Sequence, residues 1–319
     1  MVPCWIHLTD IFHPHGDPDD HFDLAVAFAL HKLGRAELKY VVCDYPPAHR
    51  VGDPALCAVA QLNEITGAHV VGMVAPKDEA LAGRYLLKLM HEAERPVVFS
   101  IVGSTAAVAS AIKADPGLFQ EKCAGIYMCA GTGIETPGGP LEYNVRLHPE
   151  AYATVFTAPC PVFWSPCYST ITPEREEGGP WGSVYCITQR ELLEKLPPRM
   201  QNYFLYMLTK STDPRYLRAL DYEVDAAALQ EHGANMRRLW STAALLTLGG
   251  EKCETFEFLP VDVACSPDGH LAWTKSKCGS VRMLHLTKDD RESAHTFDTT
   301  GSYKAEMLAK MCDLLGILS

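Results

Sequence analysis

Thr9-Asp10-Ile11-Phe12-His13-Pro14-His15-Gly16-Asp17-Pro18-Asp19-Asp20-His21-Phe22-Asp23-Leu24-Ala25 decides how this chain is read: five carboxylates and three imidazoles stand between two apolar segments. Upstream, Trp5, Ile6 and Leu8 read as a short buried strand. Downstream, residues 24–30 read as the apolar body of a helix that begins near Asp19. The acidic turn therefore sits at the carboxyl end of a strand, where open α/β sheets collect their ligands. Asp side chains this dense repel one another, so something must compensate: a hard cation taking oxygen ligands, or the positive end of the helix. A solvated, N-capping loop is the plainer use of an Asp-rich turn. The interleaving of His with Asp, directly after the first strand, favours a functional site.

Working outward, apolar runs alternate with helical ones. A strand is expected at 38–43, a helix opened by Asp53 as N-cap and Pro54 in its first turn, and a strand at 69–74. A helix over 78–94, a strand at 97–102, a helix over 105–113 and a strand at 125–129 follow. This rhythm implies right-handed crossovers and an α/β fold with a mostly parallel central sheet flanked by helices, an open doubly wound sheet. Past 161–164 the pattern loosens. Residues 172–182, rich in Pro, Gly and charge, read as a surface loop able to act as a lid, and 190–247 as mostly helical, with 200–208 and the apolar 239–248 as segments. Strands at 255–264 and 281–286 and a helix at 303–315 close the chain, and residues 1–319 read as one domain.

The 319 residues are 47% apolar with mean hydropathy −0.04, an ordinary core. A formal charge of −11 and a pI near 5.6, with no basic stripe, argue against nucleic acid or an anionic membrane as partner and favour a small neutral or cationic ligand. Neither a signal-like leader nor a stretch of ~20 apolar residues is seen, so a cytoplasmic location is expected. The twelve cysteines show no CxxC spacing and read as small buried hydrophobes in a reducing compartment.

The acidic run resembles the inosine-uridine nucleoside hydrolase family, whose first strand ends in a DxDPGxDD turn; here TDI…DPDD stands in that place, lengthened by about three residues through His13-Pro14-His15-Gly16. The resemblance implies that Asp20 holds a calcium ion and that Asp19 grips a ribose hydroxyl. Asp10 and Asp17 are then the further acids of the site, either of them able to serve as metal ligand and general base. Asp10 is preferred as base because it stands on the rigid strand end. A second stretch, VVFSIVGSTAAVASAIKADPGLF…GIYMCAGT over 97–132, resembles the family's strand-turn-helix, which makes the Ile101 carbonyl a backbone metal ligand. A third, LEYNVRLHPEA over 141–151, resembles the family's EFNxxxDPEAA, which implies that Glu142 and Asn144 reach ribose hydroxyls. In the fourth, RRLWSTAALL, the family's His-Asp pair falls on Trp240 and Ser241: a neutral hydroxyl replaces the metal's last carboxylate, and an indole able to stack on a flat base replaces the leaving-group histidine.

The resemblance thus implies a nucleoside N-ribohydrolase of purine or pyrimidine salvage, with a metal-activated water, a divalent metal (calcium) as cofactor, a small-molecule nucleoside as substrate and a homodimer or homotetramer as assembly. Two other readings stand beside it. His13-x-His15-x-Asp17 resembles the HxHxD core of metallo-β-lactamase-like zinc hydrolases, and Pro18-Asp19-Asp20 echoes the HPDDE of LmbE-like deacetylases. Alternatively, the chain is a non-catalytic nucleoside or sugar binder that lost its metal along with the carboxylate at 241.

Overall fold

The structure, a computed structural model, describes residues 2–15, 17–49, 52–136, 138–288 and 301–319. Cys4–Thr9 is buried along its whole length, because a strand between two parallel neighbours with helices over both faces meets no water. Trp5 packs into the core on one side of it, while Ile6 and Leu8 pack into the core on the other. This strand lies inside a nine-stranded sheet of order Leu271–Lys275, Phe256–Cys265, Val281–Leu286, Val162–Ser165, Cys123–Cys129, Val97–Ile101, Cys4–Thr9, Glu37–Cys43, Val71–Val74. Phe256–Cys265 runs antiparallel to both its neighbours, and every other pairing is parallel, so the expected mostly parallel sheet is what is found.

The helix Asp19–Lys32 carries Phe22, Leu24, Val26, Phe28 and Leu30 into one core, together with Met200, Tyr203 and Phe204 from Pro198–Leu208, Leu245 from Thr242–Leu248 and Met307 from Gly301–Gly316. The opposite face is covered by Glu79–Glu92, Ala106–Ala114, Pro116–Lys122 and Pro149–Val155, whose Leu86, Val108, Phe119 and Tyr152 pack with Phe99 and Trp164. Asp78 caps the first of these helices, accepting Leu81 N–H at 2.7 Å.

Three expectations are corrected. Asp53-Pro54 does not open a helix: it pairs antiparallel with Phe12-His13, Ala55 N–H bonds to Ile11 O at 3.1 Å, and the helix Leu56–Thr66 starts after Ala55. Burial of Phe12 beside this segment holds it extended. The stretch 190–247 contains a strand, Met236–Leu239, paired antiparallel with Tyr185–Thr188 away from the central sheet. The apolar segment 239–248 is therefore split, its helix running only from Thr242 to Leu248. Within the loop 172–182, Glu176–Glu177 pairs with Thr170–Ile171 as a small hairpin.

Candidate active site

The acidic turn rests on a tight junction of strand ends. Asp10 follows Cys4–Thr9, and Gly103 follows Val97–Ile101. A Cβ on Gly103 would lie 2.7 Å from Asp10 N and 2.6 Å from Asp44 Oδ2, so only glycine lets these strand ends approach. Asp44, directly after Glu37–Cys43, donates its N–H to Thr9 O at 2.9 Å and accepts Ser104 N–H at 2.6 Å through Oδ2. Asp10, nearly buried, is thereby fixed at the floor of a cavity of about 960 Å³.

That cavity gathers residues from all four stretches: Asp10, Asp17, Asp19 and Asp20 from the turn; Glu142 and Asn144; Trp240 and Ser241; and Val102 from the second stretch. Ile101 is fully buried and is not among the lining residues; at this strand end Val102 reaches the wall, its carbonyl accepting Asn144 Nδ2 at 3.2 Å. Asn144 lies in the first turn of the helix Tyr143–Leu147, and its Oδ1 is buried without a partner.

The acids divide by depth. Asp17 is exposed at the rim and bonds Arg237 Nη1 at 2.5 Å, whereas Asp10 and Asp20 are buried and share a hydrogen bond. Burial pushes the Asp20 carboxyl well up, and the charges of Asp10 and Asp19 push it further. Asp19 is raised in the same way, by its enclosure and then by the charges of Asp17, Asp10 and Asp23. Ser241, at the N-cap of the helix Thr242–Leu248, is hydrogen-bonded to Asp23 of the first helix, whose burial raises its carboxyl to about 7. A carboxylate therefore does stand behind Ser241, contributed by the first helix. Asp23 belongs to the acidic run, yet nothing local in the sequence pairs it with residue 241. Asp44 had a clearer signal: like Asp10, it directly follows a strand.

Glu142 spends both oxygens on backbone amides, Oε1 on Asn144 N at 2.9 Å and Oε2 on Gly131 N at 2.9 Å and Val145 N at 3.3 Å. It caps the helix that carries Asn144 and ties it to Gly131. Trp240 meets Tyr168 edge-on with centroids 6.2 Å apart, and its Nε1 is buried without a partner.

The zinc constellation does not form. His13 Nε2 bonds Ser211 O at 2.6 Å and its ring stacks on Tyr206, while His15 Nδ1 accepts Asp17 N–H at 3.0 Å. Among the described residues no three His, Cys, Asp or Glu side chains are grouped to hold a metal. For a hard divalent cation the donor chemistry is right but sparse: Asp10 and Asp20 supply adjacent oxygens, and coordination would be completed by water or substrate hydroxyls, as such ions accept.

Set against solved structures, the chain superposes over 98% of its length on the whole of an inosine-uridine preferring nucleoside hydrolase from Bacillus anthracis, with TM-score 0.53 and 15% identity. The fold is that of the nucleoside hydrolases. The effector protein XOO4466 has the same fold, with TM-score 0.52 and 13% identity over 99% of this chain and 95% of that one. At such identities the likeness is of fold alone. No protein-family model and no curated protein matches the sequence. Within the nucleoside hydrolase fold, the acidic cavity lies where such sheets bind ligands, beyond the carboxyl ends of the parallel strands. No helix among the described residues is long and apolar enough to cross a membrane.

Proposed function

We propose that this protein is an N-ribohydrolase that cleaves a ribonucleoside to ribose and free base. The observation that carries the reading is the convergence of Asp10, Asp19, Asp20, Asn144 and Trp240, from three separate stretches of chain, on one cavity. Asp19 and Asn144 hold ribose hydroxyls, and Glu142 acts as a positioning residue that fixes Asn144 rather than as a ribose ligand. Trp240 stacks on the base. Asp10 takes the proton of a water that attacks C1′, while the N-glycosidic bond breaks and its electron pair leaves with the base. His15, the one imidazole lining the cavity among the described residues, supplies the proton that the departing base needs.

Asp10 and Asp20 are the residues that would hold a hard cation such as calcium, whose contribution is to make water more acidic at neutral pH. Asp17, bound to Arg237, shapes the rim. We further propose that residues 1–319 act as a single domain and that the substrate is a small nucleoside rather than a polymer.

A panel of purine, pyrimidine and modified nucleosides, followed by reducing-sugar release and by chromatography of the free base, tests this. Ribose and base appearing together support it. Binding of nucleosides without release of either supports a non-catalytic binder instead.

A further inference from the structure

Two thiols stand in the wall of the same cavity. Cys129, the last residue of Cys123–Cys129, and Cys167, beyond the end of Val162–Ser165, lie with their sulfurs 3.8 Å apart, and both line the cavity. We propose that Cys129 and Cys167 form a reversible disulfide that takes peroxide-class oxidants entering through the cavity, and that this cross-link reshapes the ribose end of the site.

A disulfide needs its sulfurs about 2 Å apart, so the two thiols, 3.8 Å apart, must still close on one another. The chemistry balances: one thiol attacks the peroxide, the O–O bond breaks, and a sulfenic acid and water form. The second thiol displaces the hydroxyl of that sulfenic acid as a second water, leaving the S–S bond. Two thiol hydrogens and two electrons pass to the peroxide. A dithiol reductant reverses the reaction by exchange.

The consequence follows from what the two cysteines hold. Cys167 N–H bonds Gly131 O at 2.9 Å, and Gly131 N–H in turn bonds Glu142, the cap of the helix that presents Asn144. Tyr168, next to Cys167, packs against Trp240. Drawing the two sulfurs together therefore pulls on the Gly131–Glu142 bond and on the Tyr168–Trp240 contact at once. Cys123 and Cys160, also hydrogen-bonded to one another, provide an internal contrast: both are buried in the core and neither lines the cavity. If access through the cavity governs oxidation, that pair stays reduced under conditions that cross-link Cys129 with Cys167.

The cross-link stands on the cavity alone and does not depend on the identity of the substrate. It is tested on the full chain by incubation with hydrogen peroxide, alkylation of the remaining thiols and peptide mapping by mass spectrometry. The expected result is a Cys129–Cys167 linked peptide that disappears on dithiothreitol and is absent from Cys129→Ser and Cys167→Ser, with Cys123 and Cys160 still alkylated. Peroxide treatment that leaves both cavity thiols alkylatable overturns the proposal, as does a cross-link confined to Cys123–Cys160 or oxidation that stops at an unlinked cysteine. The reshaping is read separately by the fluorescence of the oxidised and reduced protein, whose emission should shift as the surroundings of Trp240 change. Identical spectra for the fully cross-linked and the reduced wild type, or a shift of the same size in Trp240→Phe treated alike, would overturn that second half.

Discussion

Asp23→Asn should stabilise the protein at neutral and higher pH. Asp23 is 2% exposed, accepts one hydrogen bond from Ser241 and leaves Oδ1 buried without a partner, so ionising it costs solvation that the site returns only in part. Its folded pKa of about 7 stands above the 3.8 of an unperturbed Asp. A carboxyl raised in this way contributes its stability fully below pH 3.8 and loses it as pH rises through 7. At 1.36 kcal/mol per tenfold in proton affinity, the loss between those limits is about 4 kcal/mol, on the order of half the stability of many domains. Asparagine keeps the shape and can still accept from Ser241, but does not ionise. Urea unfolding of wild type and variant in chelator, at pH 4 and pH 8, reads the effect. The two proteins should be close at pH 4, and the variant more stable by a few kcal/mol at pH 8. A variant less stable than wild type at pH 8 would refute the reasoning, because it would mean that the ionised Asp23 carboxylate is stabilised in the fold.

Asn144→Ala should leave the fold intact and reduce kcat/KM on the best nucleoside by roughly 5- to 150-fold, the equivalent of about 1–3 kcal/mol of transition-state binding. Unchanged kcat/KM would remove Asn144 from the site. Trp240→Ala removes the π face that would raise the proton affinity of a stacked base, so it should lower turnover of purine-like nucleosides far more than that of p-nitrophenyl riboside, whose leaving group needs no protonation, and equal losses would mean that the indole only packs. With two adjacent carboxylates for a cation, calcium binding should be weak in the wild type, lost in Asp20→Asn and tightened in Ser241→Asp, as measured by calorimetry. Nucleoside hydrolysis that persists undiminished in chelator would refute any role for the ion.

Much of this architecture can be read from the chain because both faces of the parallel strands are buried. Residues 4–9, 97–101 and 123–129 are apolar almost throughout, and Asp10, which directly follows the first of them, falls at a carboxyl end whatever the details of the loops. Asp10, Asp19, Asp20, Glu142, Asn144, Trp240 and Ser241 all line one cavity. What local pattern could not show is pairing at long range. The strand Met236–Leu239 carries Arg237 and Arg238 and pairs with Tyr185–Thr188 off the main sheet, so it has no apolar run to betray it. The bond from Ser241 to Asp23 joins a loop to a helix far away in sequence. Nor could residue type reveal that Glu142 faces three backbone amides, because a carboxylate suits a helix cap as well as a ribose.

The central claim is that Asp10 activates the water in a nucleoside-cleaving cavity, and steady-state kinetics of Asp10→Asn beside wild type test it most directly. On the best nucleoside the variant should keep its affinity for substrate while kcat falls on the order of 10²- to 10⁴-fold, the usual contribution of a positioned general base. A variant that releases ribose and base at the wild-type rate, or a wild type that releases neither from any nucleoside it binds, would contradict the account.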